Sequence, residues 1–128
     1  MNIPTNKFTL LALLWFGAGV YSLVFREAES GAPPFAHFDK IAHFALFFGQ
    51  FWLIAKALMQ ARQAIPYTAL LACAVLFAAG SETAQALFTQ TRQGSAADAL
   101  ADIAGAASAL WLAHKVTAAK LLPKAKQP

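Results

Sequence analysis

Charged side chains are scarce in this chain of 128 residues: they make up 12% of the sequence, whereas 59% of the residues are hydrophobic. A soluble domain of this size needs a larger charged surface to stay dispersed, so the composition argues against one. The only cysteine is Cys73, so no intrachain disulfide can form. No basic segment is interleaved with aromatic residues, and the basic residues flank apolar runs, so we predict no nucleic-acid partner.

The sequence instead contains four apolar runs, each long enough to cross a bilayer as a helix. The runs cover about residues 8–25, 41–59, 65–88 and 97–116. The last two of the intervening segments are short, which favours antiparallel neighbours. We therefore predict an all-α integral membrane protein in which residues 1–128 form a single domain, a four-transmembrane-helix up-down bundle.

Basic residues are unevenly divided between the two ends of this predicted bundle. Seven lie on the side that holds both termini, namely Lys7, Lys56, Arg62, Lys115, Lys120, Lys124 and Lys126. The other side has three, namely Arg26, Lys40 and Arg92. Because the basic side of a membrane protein usually faces the cytoplasm, we predict that both termini are cytoplasmic (N-in/C-in). In an alternative interpretation the first run is a signal peptide, which would leave three spans.

Polar residues gather at the opposite, non-cytoplasmic end of the predicted helices. The candidate site residues are Asp39, Lys40 and His43 on the second helix, Glu82 and Gln85 on the third, Arg92 in the following loop, and Asp98 and Asp102 on the fourth. Residues at i and i+4 share one helix face, as Asp39 with His43 and Asp98 with Asp102. A carboxylate at the bilayer centre costs about 2.5–3.5 kcal/mol, so these side chains are expected to face the bundle interior or a basic partner.

The order and spacing of these residues resemble the VanZ-like family of membrane proteins. The resemblance rests on DKIAHF from Asp39, ETAQ from Glu82, the single Arg92, and DALADIAG from Asp98, within residues 39–105. The sequence departs from the family pattern at Asp102, where the family usually has Asn. The interval between Gln85 and Arg92 is also a residue longer than usual.

The resemblance implies a multi-pass protein of the bacterial cytoplasmic membrane with a role facing the cell envelope. The family is associated with resistance to the glycopeptide teicoplanin, so an accessory role in antibiotic resistance is the implied function. The partners it implies are membrane lipids and a lipid-linked or cell-wall ligand. It does not specify a reaction.

Three classes of function stay open at this point. The first is a binding protein for a polar envelope ligand, with Lys40 and Arg92 on phosphate and the carboxylates on hydroxyls or amines. The second is a membrane-embedded enzyme that uses His43 or Glu82 as a general base, or a metal held by the same cluster. The third is a structural protein in which polar residues only hold the helices together. We predict no cofactor, and the sequence leaves metal binding and oligomeric state open.

The fourth run is mostly alanine and carries a stripe of small residues. The stripe repeats every four residues as Ala97, Ala101, Gly105 and Ala109. Small residues let a neighbouring backbone approach closely, so we expect this helix to lie at the packed centre of the bundle. Cys73 lies in the middle of the third run, and we expect it in the core.

Overall fold

The structure, a computed structural model, describes residues 2–25, 37–88 and 96–121. Its elements are α1, Lys7–Val20, continued by a π-helical turn over Tyr21–Phe25; α2, Phe38–Gln60; α3, Tyr67–Phe88; and α4, Ala96–Leu121. These residues contain helices and no strand, which confirms the predicted all-α class for this part of the chain.

Helices α2, α3 and α4 have 23, 22 and 26 residues, and each is long and apolar enough to cross a membrane. The predicted membrane protein is therefore supported by three helices within the described residues. The first run was predicted as one continuous span over residues 8–25, but its α-helix ends at Val20. Gly17 and Gly19 lie in the last turn of that helix, where their low helix propensity favours the change to the wider π-helical turn.

Helix α1 begins at a side-chain cap that also ties it to α2. The Asn6 carboxamide oxygen accepts hydrogen bonds from the backbone N–H groups of Phe8 and Thr9, at 3.1 and 3.3 Å. Its amide nitrogen donates to the carbonyl oxygen of Ala57 at 3.0 Å. Further along, the Trp15 indole donates to the carbonyl of Leu46 at 2.8 Å. These contacts run in opposite directions along the two helices, so α1 and α2 are antiparallel neighbours.

The other helices differ from the predicted runs mainly at their ends. Helix α2 begins three residues earlier than the run at residue 41. The negative charge of Asp39 in its first turn stabilises this start through the helix dipole. Helix α3 begins just after Pro66, whose carbonyl oxygen accepts from Leu70 N–H at 2.9 Å. Helix α4 continues beyond residue 116 to Leu121, because this segment is rich in good helix formers.

Helices α2 and α4 run parallel and have the most extensive contact in the bundle. The closest approach is at Gly105, where a Cβ atom would overlap the carbonyl oxygen of Phe44. Gly105 and Ala109 are buried as expected, but Ala97 is exposed. An α-helix has 3.6 residues per turn, so residues spaced every four positions do not stay on one face. The buried face instead passes through Asp98 and Asp102.

An apolar groove separates α1 from α3 along much of their length. Its lining runs from Ile3 at one end of the bundle to Ala84 at the other, and its volume is about 880 Å³. Cys73 lines this groove and is exposed, so its predicted place in the core is wrong. The prediction failed because an apolar residue in mid-helix can face a groove as readily as a core. The core itself lies mainly between α2, α3 and α4.

Candidate functional site

His43 occupies the centre of a polar cluster at the end of the bundle where α2 and α4 begin. Its side chain is 0% exposed, and carboxylates surround both ring nitrogens. On one side, Nδ1 lies 2.7 Å from Oδ1 of Asp102 and 3.6 Å from Oε1 of Glu82. On the other side, Nε2 lies 3.6 Å from Oδ2 of Asp98 and 3.8 Å from Oδ2 of Asp39. We call this set, together with Lys40, the His43 cluster.

The helix spacing explains why these side chains meet. Asp39 and His43 are one turn apart on α2, and Asp98 and Asp102 are one turn apart on α4. Because α2 and α4 run parallel and approach closely at Gly105, the two pairs lie side by side. Helix α3 runs in the opposite direction, so Glu82 near its end reaches the same place.

The two sides of His43 differ in their access to the surface. The side chains of Asp102 and Glu82 are 0% and 10% exposed, whereas that of Asp39 is 56% exposed. Lys40 lies at the same outer edge, with Nζ 3.5 Å from Oδ1 of Asp98. The Nε2 side of the imidazole is therefore the side that opens towards the surface.

Negative groups outnumber positive ones in the His43 cluster. Four carboxylates contact one imidazole, and the one lysine described beside them contacts Asp98. With every carboxylate ionised and His43 protonated, the described residues of this mostly buried site carry an excess of two negative charges. Such an excess is costly in a low-dielectric interior unless protons or a bound cation offset it. The cluster is thus suited to hydrogen-bond donors and cations.

The short contact between Asp102 and His43 also orients the ring. When the Asp102 carboxylate is ionised it only accepts hydrogen bonds, and the hydrogen in this contact is then on Nδ1 of His43. In the neutral ring Nε2 then carries a lone pair. Nε2 is buried and makes no hydrogen bond within the described residues, so it is placed to accept a proton or to ligate a metal. Among those residues two sets have metal-ligand spacing: Asp39, His43 and Asp98, and His43, Glu82 and Asp102.

The structure brings six of the eight candidate residues into direct contact with one another: Asp39, Lys40, His43, Glu82, Asp98 and Asp102. Gln85 is 1% exposed and lies one turn beyond Glu82 on α3, at the same end of the bundle. Arg92 lies outside the described residues. His114, at the other end of α4, is exposed and packs edge-on against Tyr67.

Sequence reasoning missed Ser81 and the groove. Ser81 lines the groove and directly precedes Glu82 on α3, so the groove reaches the depth of the His43 cluster. Its hydroxyl donates to the carbonyl oxygen of Ala78 at 3.1 Å. Its position directly before Glu82 was a signal for this, because adjacent helix residues lie near each other at one depth. The groove depends on the spacing of α1 and α3, which no local sequence pattern encodes.

Comparison with known proteins adds no relative to this picture: no protein-family model, no curated protein and no solved structure matches the chain. The resemblance to the VanZ-like family therefore stays a prediction from motifs.

Proposed function

We propose that this chain is a bacterial cytoplasmic-membrane protein, related to the VanZ-like family, that binds an envelope lipid. The polar head group would bind at the His43 cluster, and the hydrocarbon tail would lie in the groove between α1 and α3. The observation that carries the proposal is that the groove reaches Ser81 and Ala84, which flank Glu82 of the His43 cluster on α3. An amphipathic ligand requires an apolar site and a polar site that meet.

The groove has a suitable size and lining for a lipid tail. Its volume of about 880 Å³ lies within the range of roughly 300–1,000 Å³ that is usual for ligand sites. Apolar side chains such as Phe16, Leu23 and Phe47 dominate its walls. A tail that entered near Ser81 would follow the groove towards Ile3, which is the direction a lipid chain takes into a membrane.

The head group that suits the cluster carries hydroxyl or amine donors. Carboxylates accept hydrogen bonds from such groups, and charge-assisted bonds of this kind are roughly twice as strong as neutral ones. A bare anion would be repelled by the carboxylate excess, so a phosphate on the ligand would bind at the outer edge beside Lys40. Hydroxyls or amines together with a phosphate are the chemistry of a lipid-linked envelope precursor, which is the ligand class we propose.

The proposal includes four spans, cytoplasmic termini and a His43 cluster that faces the envelope. Support for this orientation comes from the opposite end of the bundle, which we call the basic end because Lys7, Lys56 and Lys115 lie there. Lys7 and Lys56 lie 5.2 and 5.4 Å from the centre of the Phe8 ring. Lysines beside aromatic rings at one helix end are typical of a cytoplasmic membrane interface.

A second candidate function is catalysis by a membrane-embedded enzyme. The observation that favours it is the 2.7 Å contact between Asp102 and Nδ1 of His43, which orients Nε2 as a general base. Purified protein would then turn over an identified lipid substrate, and His43→Gln would abolish turnover. Saturable binding without turnover supports the binding function instead.

Cys73 provides a direct test of lipid binding, because it lines the groove and is the only cysteine. The full chain is purified in detergent, and the rate at which N-ethylmaleimide alkylates Cys73 is measured. The probes are phosphatidylethanolamine, phosphatidylglycerol and a polyprenyl phosphate. We expect at least one of them to slow alkylation severalfold and saturably, because its tail would cover the thiol.

Variants separate head-group binding from unspecific coating by lipid. Asp98→Asn should weaken the protection, whereas Thr83→Ala, on the exposed face of α3, should leave it unchanged. Glu82→Gln preserves hydrogen bonding and removes a charge, so it should also weaken protection. If no lipid protects Cys73, the lipid site does not exist. If Asp98→Asn and Glu82→Gln are protected as well as the parent chain, no head group binds at the cluster, which then only holds the helices together.

A further inference from the structure

The two nitrogens of His43 have different contacts. Nδ1 is within hydrogen-bond distance of Asp102, at 2.7 Å. Around Nε2 the nearest oxygens of Asp98 and Asp39 lie at 3.6 and 3.8 Å, which is too long for hydrogen bonds. Nε2 is nevertheless fully buried and has no hydrogen bond within the described residues. A buried nitrogen aimed between two carboxylate oxygens is an arrangement that a bound cation completes.

We infer that Nε2 of His43 and the carboxylates of Asp39 and Asp98 form a binding site for a divalent transition-metal ion such as Zn²⁺ or Mn²⁺. The inference deepens the proposed function, because it places a cation where the lipid head group would bind. Imidazole nitrogen suits Zn²⁺ and related first-row ions, and carboxylate oxygen suits Mn²⁺. The three ligand atoms lie within 4.8 Å of one another.

The distances between these atoms fit a metal ion after small side-chain movements. Bonds of about 2.1 Å at a tetrahedral angle place two ligand atoms about 3.4 Å apart. The separations of 3.6 and 3.8 Å from Nε2 to Asp98 and Asp39 are slightly larger. The Asp39 side chain is 56% exposed, so it has room to rotate towards the ion.

The two carboxylate oxygens of Asp98 have different partners. Oδ1 lies 3.5 Å from Nζ of Lys40, and Oδ2 is the oxygen that lies 3.6 Å from Nε2 of His43. Asp98 can therefore ligate a metal through Oδ2 while Oδ1 stays beside the lysine. The lysine also places a positive charge next to the open side of the ion, where a phosphate of the head group would approach.

Asp102 acts in this site as a positioning residue and not as a ligand. A histidine that ligates a metal commonly donates its other ring N–H to a carboxylate, which fixes the tautomer and the ring orientation. The 2.7 Å contact at Nδ1 has this geometry. The same contact argues against the alternative set of His43, Glu82 and Asp102, because Nδ1 cannot donate to Asp102 and ligate a metal at once.

The charge balance of the cluster favours the same conclusion. His43 must be neutral to ligate a metal through Nε2. The four ionised carboxylates and Lys40 then leave an excess of three negative charges among the described residues, and a divalent ion lowers this excess to one. Three protein ligands leave a tetrahedral ion with an open position, as in catalytic zinc sites. That position gives a phosphate or hydroxyl oxygen of the head group a place to bind.

The test measures metal binding without lipid. The full chain is purified in detergent, stripped with a chelator, and titrated with Zn²⁺ or Mn²⁺ alone by isothermal calorimetry. We expect one equivalent to bind. His43→Gln and Asp98→Asn should raise the Kd by at least about tenfold, since loss of even a supporting carboxylate costs 10–100-fold. Asp102→Asn should raise it by about tenfold through lost orientation.

Two further variants keep the test decisive if a buried variant fails to fold. Asp39→Asn changes a largely exposed side chain and should weaken metal binding while helix content stays at the parent level. Thr83→Ala changes an exposed side chain of α3 outside the His43 cluster and should leave the Kd unchanged. The inference is overturned if no metal binds at millimolar concentration. It is also overturned if Glu82→Gln abolishes binding while Asp39→Asn and Asp98→Asn do not.

The metal site and the lipid site can fail separately. Lipid protection of Cys73 is measured again in the presence of the chelator and after loading with Zn²⁺. Metal binding without any lipid protection supports the metal site and contradicts the proposed function. Lipid protection in a chain that binds no metal supports the proposed function and contradicts this inference.

Discussion

The two ends of this helix bundle both carry charged residues, but they hold them in opposite ways. At the basic end, lysines such as Lys7 and Lys115 are exposed and lie over aromatic rings. At the other end, His43 and Asp102 are fully buried and contact each other. A charge at the surface stays hydrated, so substitution of its neighbours costs little free energy. A buried charge depends on every group around it, and such groups mark a functional site more strongly.

The largest expected effect follows from removal of the central histidine. His43→Leu leaves buried carboxylates without their shared partner, and breaking a buried charged pair costs about 3–5 kcal/mol. We expect a large drop in the apparent Tm in detergent, measured by circular dichroism. His114→Leu is the matched control, because His114 is exposed near the basic end of α4 and should change the Tm little. Equal effects at the two positions would remove the contrast between the ends.

A smaller effect is expected at the contact that brings α2 and α4 together. In Gly105→Ala the added Cβ overlaps the Phe44 carbonyl, and overpacking of this kind costs about 1–3 kcal/mol. Gly105→Leu should destabilise the bundle more than Gly105→Ala. Gly80→Ala serves as the control, because no atom lies within 4 Å of a Cβ added there. Thermal unfolding of the two alanine variants gives the comparison, and a Gly105→Ala variant as stable as the parent would mean that the close approach is wrong.

The cap of α1 is expected to contribute less again. Asn6→Ala removes two capping hydrogen bonds and the bond to Ala57, and loss of an N-cap typically costs about 1 kcal/mol. Asn2→Ala, at an exposed position before the helix, should have no measurable effect on unfolding. A neutral Asn6→Ala would show that the start of α1 is held by packing alone.

The smallest effect is expected at the basic end. Lys56→Gln removes an amine from the Phe8 and Trp52 rings, and such contacts at accessible sites contribute about 0.5–1 kcal/mol. We expect a Tm shift close to the error of the measurement, with lipid protection of Cys73 unchanged. A loss of protection comparable to that in Asp98→Asn would show that the basic end also belongs to the ligand site.

The sequence predicted which residues form the His43 cluster better than it predicted how they are arranged. The i, i+4 spacing placed Asp39 with His43 and Asp98 with Asp102. His43, Asp98 and Asp102 are buried as expected, whereas Asp39 is exposed. The sequence did not predict that His43 would contact both Asp98 and Asp102, because that depends on the register of α2 against α4. The register places Gly105 against the Phe44 backbone; the small-residue stripe indicated a close approach at Gly105 but not its partner on α2.

Errors in the sequence predictions fell where packing between helices decides the outcome. The stripe from Ala97 to Ala109 was predicted to lie on one helix face, but a four-residue repeat drifts around a helix of 3.6 residues per turn. Cys73 was placed in the core because apolar character does not distinguish a core from a groove. The helices themselves were easier to predict, because length and hydropathy are local properties of the chain.

The central claim is that the buried polar end faces the envelope and the basic end faces the cytoplasm. It is tested by cysteine labelling in intact cells, in a Cys73→Ser background, with a maleimide that does not cross membranes. Phe38→Cys, at the start of α2, should be labelled from outside, whereas Arg62→Cys, after the end of α2, should be labelled only after the membrane is opened. Labelling of Arg62→Cys in intact cells with protection of Phe38→Cys would reverse the orientation and contradict the account.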